Sequence, residues 1–166
     1  VWISRGLYEA AALAIFFAAL LDGLDGKVAR ITNTSSPFGA EYYSLADLVA
    51  FGVTPAFLLF NWQLAAYGRY GLAVCFIFAA CGAMRLARFN ISTSSGTKKF
   101  FPGLPIPAGG CTIAALVLFT PNIPEALHAY LPPFCFLLGL LLGVLMVSRA
   151  RYYSFKDFGI VKAYPL

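Results

Sequence analysis

Acidic side chains are scarce in this sequence, and four of the seven, Asp22, Asp25, Glu41 and Asp47, fall within one short stretch. Asp22 and Asp25 are three apart, so a helix presents both on one face. A short polar turn at 32–37 separates them from the segment that carries Asp47. A helical hairpin about that turn brings the three aspartates together. Carboxylates gathered in an apolar setting need counter-charge, and hard oxygen donors suit Mg²⁺ or Mn²⁺. Gly23, Gly26, Ala29 and Gly39 stand around them, and such small residues let a ligand approach a helix backbone closely. The same acids have a plainer use, a helix-end salt-bridge network with Lys27 and Arg30, and spacing alone leaves both readings open.

The elements that must hold these residues are set by composition. Hydrophobic residues make up 60% of the 166 and charged residues 11%, against about a quarter charged in a soluble domain. Lipid is therefore the expected solvent. Five apolar runs, at 7–29, 38–62, 70–89, 104–120 and 131–147, approach the roughly 20 residues that a spanning helix needs. They are too long and too unalternating for barrel strands. The expectation is one all-α domain over 1–166, a polytopic transmembrane helix bundle. Cys75, Cys81, Cys111 and Cys135 lie inside these runs without a CxxC pair and read as small hydrophobes.

The net charge is +5, yet the bases sit at the ends of apolar runs, which speaks for topology and phosphate contact and against a nucleic-acid partner. If the five runs alternate in direction, Lys27, Arg30, Arg85, Arg88, Lys98, Lys99, Arg149, Arg151, Lys156 and Lys162 fall on one side. Only Arg5 and Arg69 fall on the other. The excess of positive charge marks the first side as cytoplasmic. The acids lie on that same side. Five spans leave Val1 outside, so one further helix upstream is expected, giving a six-helix parent.

The motif Asp22, Asp25-Gly26, Ala29-Arg30, Gly39, Tyr43, Asp47 resembles the signature of the CDP-alcohol phosphotransferase family. Seven of eight fixed positions match, with every spacing intact. The stretch 85–90, with Arg85, Arg88 and Asn90, is similar to the serine-using bacterial branch of that family. So are the run of Pro102, Gly103, Pro105 and Pro107, and the tail with Ser148, Arg149, Phe155, Lys156 and Asp157.

The resemblance implies a homodimer of six-helix subunits in a bacterial inner or plasma membrane. Each subunit has a polar cavity open to the cytoplasm. It implies transfer of a phosphatidyl group from CDP-diacylglycerol to L-serine, giving phosphatidylserine and CMP, with Mg²⁺ or Mn²⁺ as cofactor. Asp22, Asp25 and Asp47 would serve the metal, and Asp47 would also be the general base. Gly26, Ala29, Arg30 and Gly39 would line the nucleotide and lipid-phosphate site. Arg85, Arg88, Asn90, Lys98 and Lys99 would contact serine or phosphate, although membrane-edge anchoring also accounts for the bases.

One position departs from the pattern. Tyr43 stands where relatives carry a metal-ligating aspartate, and a phenol is neutral near pH 7. Glu41 is a poor stand-in, since residues two apart do not share a helix face. The expectation is weakened metal binding and a rate loss of roughly 10² or more. Two alternatives stay open: a sister enzyme using glycerol phosphate or inositol phosphate, and a catalytically impaired membrane homologue.

Overall fold

A computed structural model of the chain describes residues 1–32, 37–94, 101–148 and 151–152, excepting the side chains at 26–32, 37, 40, 92–94, 101–102 and 151–152. It is an all-α bundle. Helix α1 spans Tyr8–Thr32, α2 Pro37–Asp47, α3 Thr54–Leu59, α4 Arg69–Ser94, α5 Ile106–Phe119 and α6 Leu131–Val147. The extended backbone among the described residues is a two-residue antiparallel pairing of Phe101–Pro102 with Arg151–Tyr152.

Among the described residues, three helical stretches are long and apolar enough to cross a membrane: Glu41–Tyr67, Arg69–Ile91 and Glu125–Val147. The sequence suggested five. The fourth apolar run forms a shorter helix, Ile106–Asn122, because Pro105 sets its N-cap and Pro121 introduces a 3₁₀ turn at its end. The first run forms a single helix of 25 residues that carries Asp22 and Asp25 in its second half.

The second run is one continuous helical rod with two wide turns in it. A π-helical segment, Leu48–Val53, links α2 to α3, and another, Phe60–Leu64, follows α3. Pro55 explains the first. It has no N–H to give to the Phe51 carbonyl four residues back, so the turn relaxes. The Thr54 N–H and Thr54 Oγ1 both reach the Val49 carbonyl, the hydroxyl at 2.8 Å. The wide turn begins one residue after Asp47.

The core is built where α1 packs on α5, α4 packs on α6, and the π-bulged rod lies against both pairs. Phe51, Leu58, Leu59, Leu64, Phe78, Ile106, Ile113 and Met146 are buried there. Gly139 and Gly143, four apart, form the α6 face that meets α4. A Cβ on Gly139 would come within 2.8 Å of Val74, and one on Gly143 would lie 3.5 Å from the Phe78 backbone. Without a hydrophobic drive between helices in lipid, such close backbone approach is what holds them. Leu13, Phe17, Leu20, Phe76, Leu137 and Val144 point outward. That outer coat would be an aggregation surface in water and is an ordinary one in lipid.

The strap into α5 is anchored on the end of α6. The Leu104 N–H donates to the Leu145 carbonyl at 3.1 Å. Gly103 holds φ at 86°, and a Cβ there would sit 2.2 Å from the Met146 carbonyl oxygen. Gly103→Ala is therefore expected to cost about 1–3 kcal/mol in backbone strain, with the clash added. A lowered melting midpoint of the detergent-solubilised protein is the measurement that checks it.

Candidate functional site

The site lies where α1, α2, α4 and the start of α5 meet at one end of the bundle. On α2, Glu41, Ser44 and Asp47 recur every three residues and so face the same way. With Tyr43 they form one wall of a cavity of about 580 Å³. Arg85, Leu86, Phe89 and Asn90 of α4 form the opposite wall, and Pro105 and Pro107 close one side.

Asp22 enters this site from α1 through Tyr43. The Tyr43 hydroxyl donates to the Asp22 carboxylate and also lies 2.9 Å from the Asp22 backbone carbonyl. Asp22 and Asp47 carboxyl groups meet, and Asp47 is attracted across the cavity by Arg85. Two carboxyl groups in contact are stable only with a proton or a cation between them. The Arg85 guanidinium is steadied from its other side by Phe89, whose ring centroid is 5.7 Å away.

At the outer end of the cavity, Asn90 ties α4 to α2. Its Nδ2 donates to Glu41 Oε2 at 3.0 Å and to Ser44 Oγ at 3.1 Å. Amide groups are shared in this way when a polar wall must keep its shape.

The expected site residues thus divide. Asp22, Asp47, Arg85 and Asn90 are brought to one place. Asp25 is exposed on α1, within electrostatic reach of Tyr43. Arg88 points elsewhere: its Nη1 donates to the Val147 carbonyl at 3.0 Å, at the C-terminal end of α6, where a cation suits the helix dipole. Gly39 lies exposed near the start of α2. The side chains of Ala29 and Arg30, the surroundings of Gly26 and the whole of Lys98 and Lys99 fall outside the described residues, as does the salt-bridge alternative with Lys27 and Arg30.

The donor set suits a hard divalent cation in type, since Asp22, Asp25 and Asp47 offer carboxylate oxygens. It is one group short in arrangement. Among the described residues no three His, Cys, Asp or Glu side chains come together as a ligand set. Asp22 and Asp47 meet, Asp25 stands outside, and the Tyr43 phenol takes the space and one acceptor of Asp22.

Glu41 and Ser44 were not picked out from sequence as site residues. The signal was present in the three-residue recurrence of 41, 44 and 47.

Residues 1–148 match the CDP-alcohol phosphatidyltransferase family. A Helicobacter pylori protein named CDP-diacylglycerol–serine O-phosphatidyltransferase is 47% identical over 137 residues, which cover 82% of this chain and 57% of that protein. A protein of the same name from Methanocaldococcus jannaschii is 41% identical over 143 residues, 86% of this chain and 63% of that protein. One from Saccharomyces cerevisiae is 42% identical over 111 residues, 63% of this chain and 38% of that protein. The chain spans between about two fifths and two thirds of the length of these relatives. With its motif, its helical bundle and a match over nearly its whole length, the chain belongs to the CDP-alcohol phosphatidyltransferase family.

Proposed function

We propose that this integral membrane protein transfers a phosphatidyl group from CDP-diacylglycerol to L-serine, releasing CMP, with the site facing the cytoplasm. The observation that carries the proposal is the Asp47–Arg85 pair across a cavity beside Asp22. It sets a carboxylate able to accept a proton next to a cation able to hold an acid group. The names of the relatives point to serine as the acceptor, and the excess of basic residues on one side supports the orientation.

In this reading Asp22, Asp25 and Asp47 would hold Mg²⁺ or Mn²⁺, which would neutralise charge on the pyrophosphate of the donor. Gly26, Ala29 and Gly39 leave room for the nucleotide, and Arg30 contacts phosphate. Asp47 accepts the proton of the serine hydroxyl as the oxygen attacks phosphorus. The bond from that phosphorus to the CMP oxygen breaks, and CMP leaves as the anion. A carboxylate is a weak base for an alcohol, so proton transfer accompanies bond formation instead of preceding it. Arg85 holds the carboxylate of the acceptor, with Lys98 and Lys99 as further phosphate or carboxylate contacts. The functional unit is a homodimer.

Tyr43 favours a second reading, a family member with impaired catalysis, because a phenol occupies the ligand position and engages Asp22. An acceptor competition separates the acceptor question from that one. With labelled CDP-diacylglycerol and Mn²⁺, the Tyr43→Asp protein is expected to convert serine in preference to glycerol 3-phosphate or inositol phosphate by at least tenfold. Preference for a phosphorylated acceptor would reassign the chain to a sister activity.

A further inference from the structure

We propose that Glu41 and Arg85 form a two-ended clamp for a zwitterionic amino alcohol, with Glu41 reading the ammonium group and Arg85 the carboxylate. The proposal rests on serine being the acceptor, and it names how this cavity tells serine from other alcohols.

The first argument is charge. Among the described residues the cavity wall carries two acids, Glu41 and Asp47, and one base, Arg85. A pocket built for a phosphorylated acceptor would have the opposite balance, since each like charge brought near a phosphate costs binding. An acceptor that brings its own cation completes this pocket instead.

The second argument is placement. Asn90 fixes the Glu41 carboxylate at the outer end of the cavity through the 3.0 Å hydrogen bond. Arg85 lies five residues earlier on the same α4 helix, a backbone rise of about 7.5 Å along its axis, and lines the same cavity as Glu41. In an amino acid the ammonium nitrogen and the carboxylate carbon are separated by two covalent bonds. With a charge-assisted hydrogen bond at each end, the two protein partners stand about 8 Å apart. Asp47, attracted to Arg85, is then at the deep end, where the hydroxyl on the same carbon skeleton must arrive to be deprotonated.

The third argument is rigidity. Asn90 also bonds Ser44, and Arg85 is stacked on Phe89. Both ends of the clamp are thus held before any acceptor enters, which lowers the ordering cost of binding.

The test is ligand-observed saturation-transfer NMR on the detergent-solubilised chain, with L-serine, ethanolamine, 3-hydroxypropionate and glycerol 3-phosphate as probes. Glu41→Gln keeps an oxygen for Asn90 and removes only the charge. It is expected to weaken serine and ethanolamine about tenfold or more and to leave 3-hydroxypropionate unchanged. Arg85→Gln is expected to weaken serine and 3-hydroxypropionate and to spare ethanolamine. Glu41→Asp, which keeps the charge, is expected to retain the preference for the amines. Equal loss of all probes, or no loss of any, in the Glu41→Gln protein overturns the clamp while leaving serine as acceptor. Glycerol 3-phosphate binding to the unaltered chain in place of serine overturns the acceptor reading and the clamp with it. Binding of none of the four overturns the clamp, and the transfer assay then judges the acceptor reading separately.

Discussion

Replacing Tyr43 with aspartate is expected to raise phosphatidyl transfer by roughly 10²-fold or more. Two effects combine in that number. The substitution supplies a carboxylate four residues from Asp47 on the same helix face, completing the set that the described residues lack. It also removes a phenol whose hydroxyl engages the Asp22 carboxylate, returning that oxygen to ligand duty. Tyr43→Phe separates the two effects, because it frees Asp22 without adding an acid. The Asp protein should gain both turnover and tighter Mn²⁺ binding, the latter read by electron paramagnetic resonance of the free ion. The Phe protein should gain little of either. Equal gains in both proteins would mean that the tyrosine hydroxyl blocks the site and that position 43 is no ligand. Unchanged activity and unchanged Mn²⁺ affinity in the Asp protein would remove the metal role of position 43 altogether.

The aspartate motif was legible in part, because its spacing is a helix-face code. Helical periodicity sufficed to put positions 22 and 25 on one helix, and Asp47 on the next meets Asp22 while Asp25 stays exposed. The role of Arg85 was half legible. Composition put it on the same side as Arg88, but only packing distinguishes them. Arg85 is drawn into the cavity by Asp47, whereas Arg88 finds the open carbonyl at the end of α6. That choice depends on where α6 stops against α4, which Gly139 and Gly143 determine by close approach. No local pattern around Arg88 carries that information. The π-helical turn after Asp47 was similarly hidden. Pro55 was visible in the apolar run, but a proline kinks, bulges or ends a helix according to what its neighbours offer. Here Thr54 offers its hydroxyl to Val49. The fourth apolar run forms a shorter apolar helix whose length is set by Pro105 and Pro121 at its two ends.

In the Tyr43→Asp protein, where turnover is high enough to follow, Asp47→Asn is expected to lower kcat by about 10²–10⁴-fold. Asparagine has nearly the shape of aspartate, so the α2 wall and the π-helical turn behind it should persist. The change deletes the carboxylate on the cavity wall that attracts Arg85 and can take a proton from an alcohol. Arg85 and Glu41 remain to hold the acceptor, so serine affinity should change far less than kcat. That split distinguishes a base from a residue that merely shapes the pocket, whose loss would raise KM. The pH profile gives a second discriminator. A general base must be unprotonated to work, so the rate of the parent protein rises with pH through the titration of Asp47. The Asn protein should lose that rise and show a flat, low rate over the same range. An Asn protein that kept the rise would place the base elsewhere. Asp22 would then be the next candidate, since its carboxyl group meets Asp47 beside the same cavity.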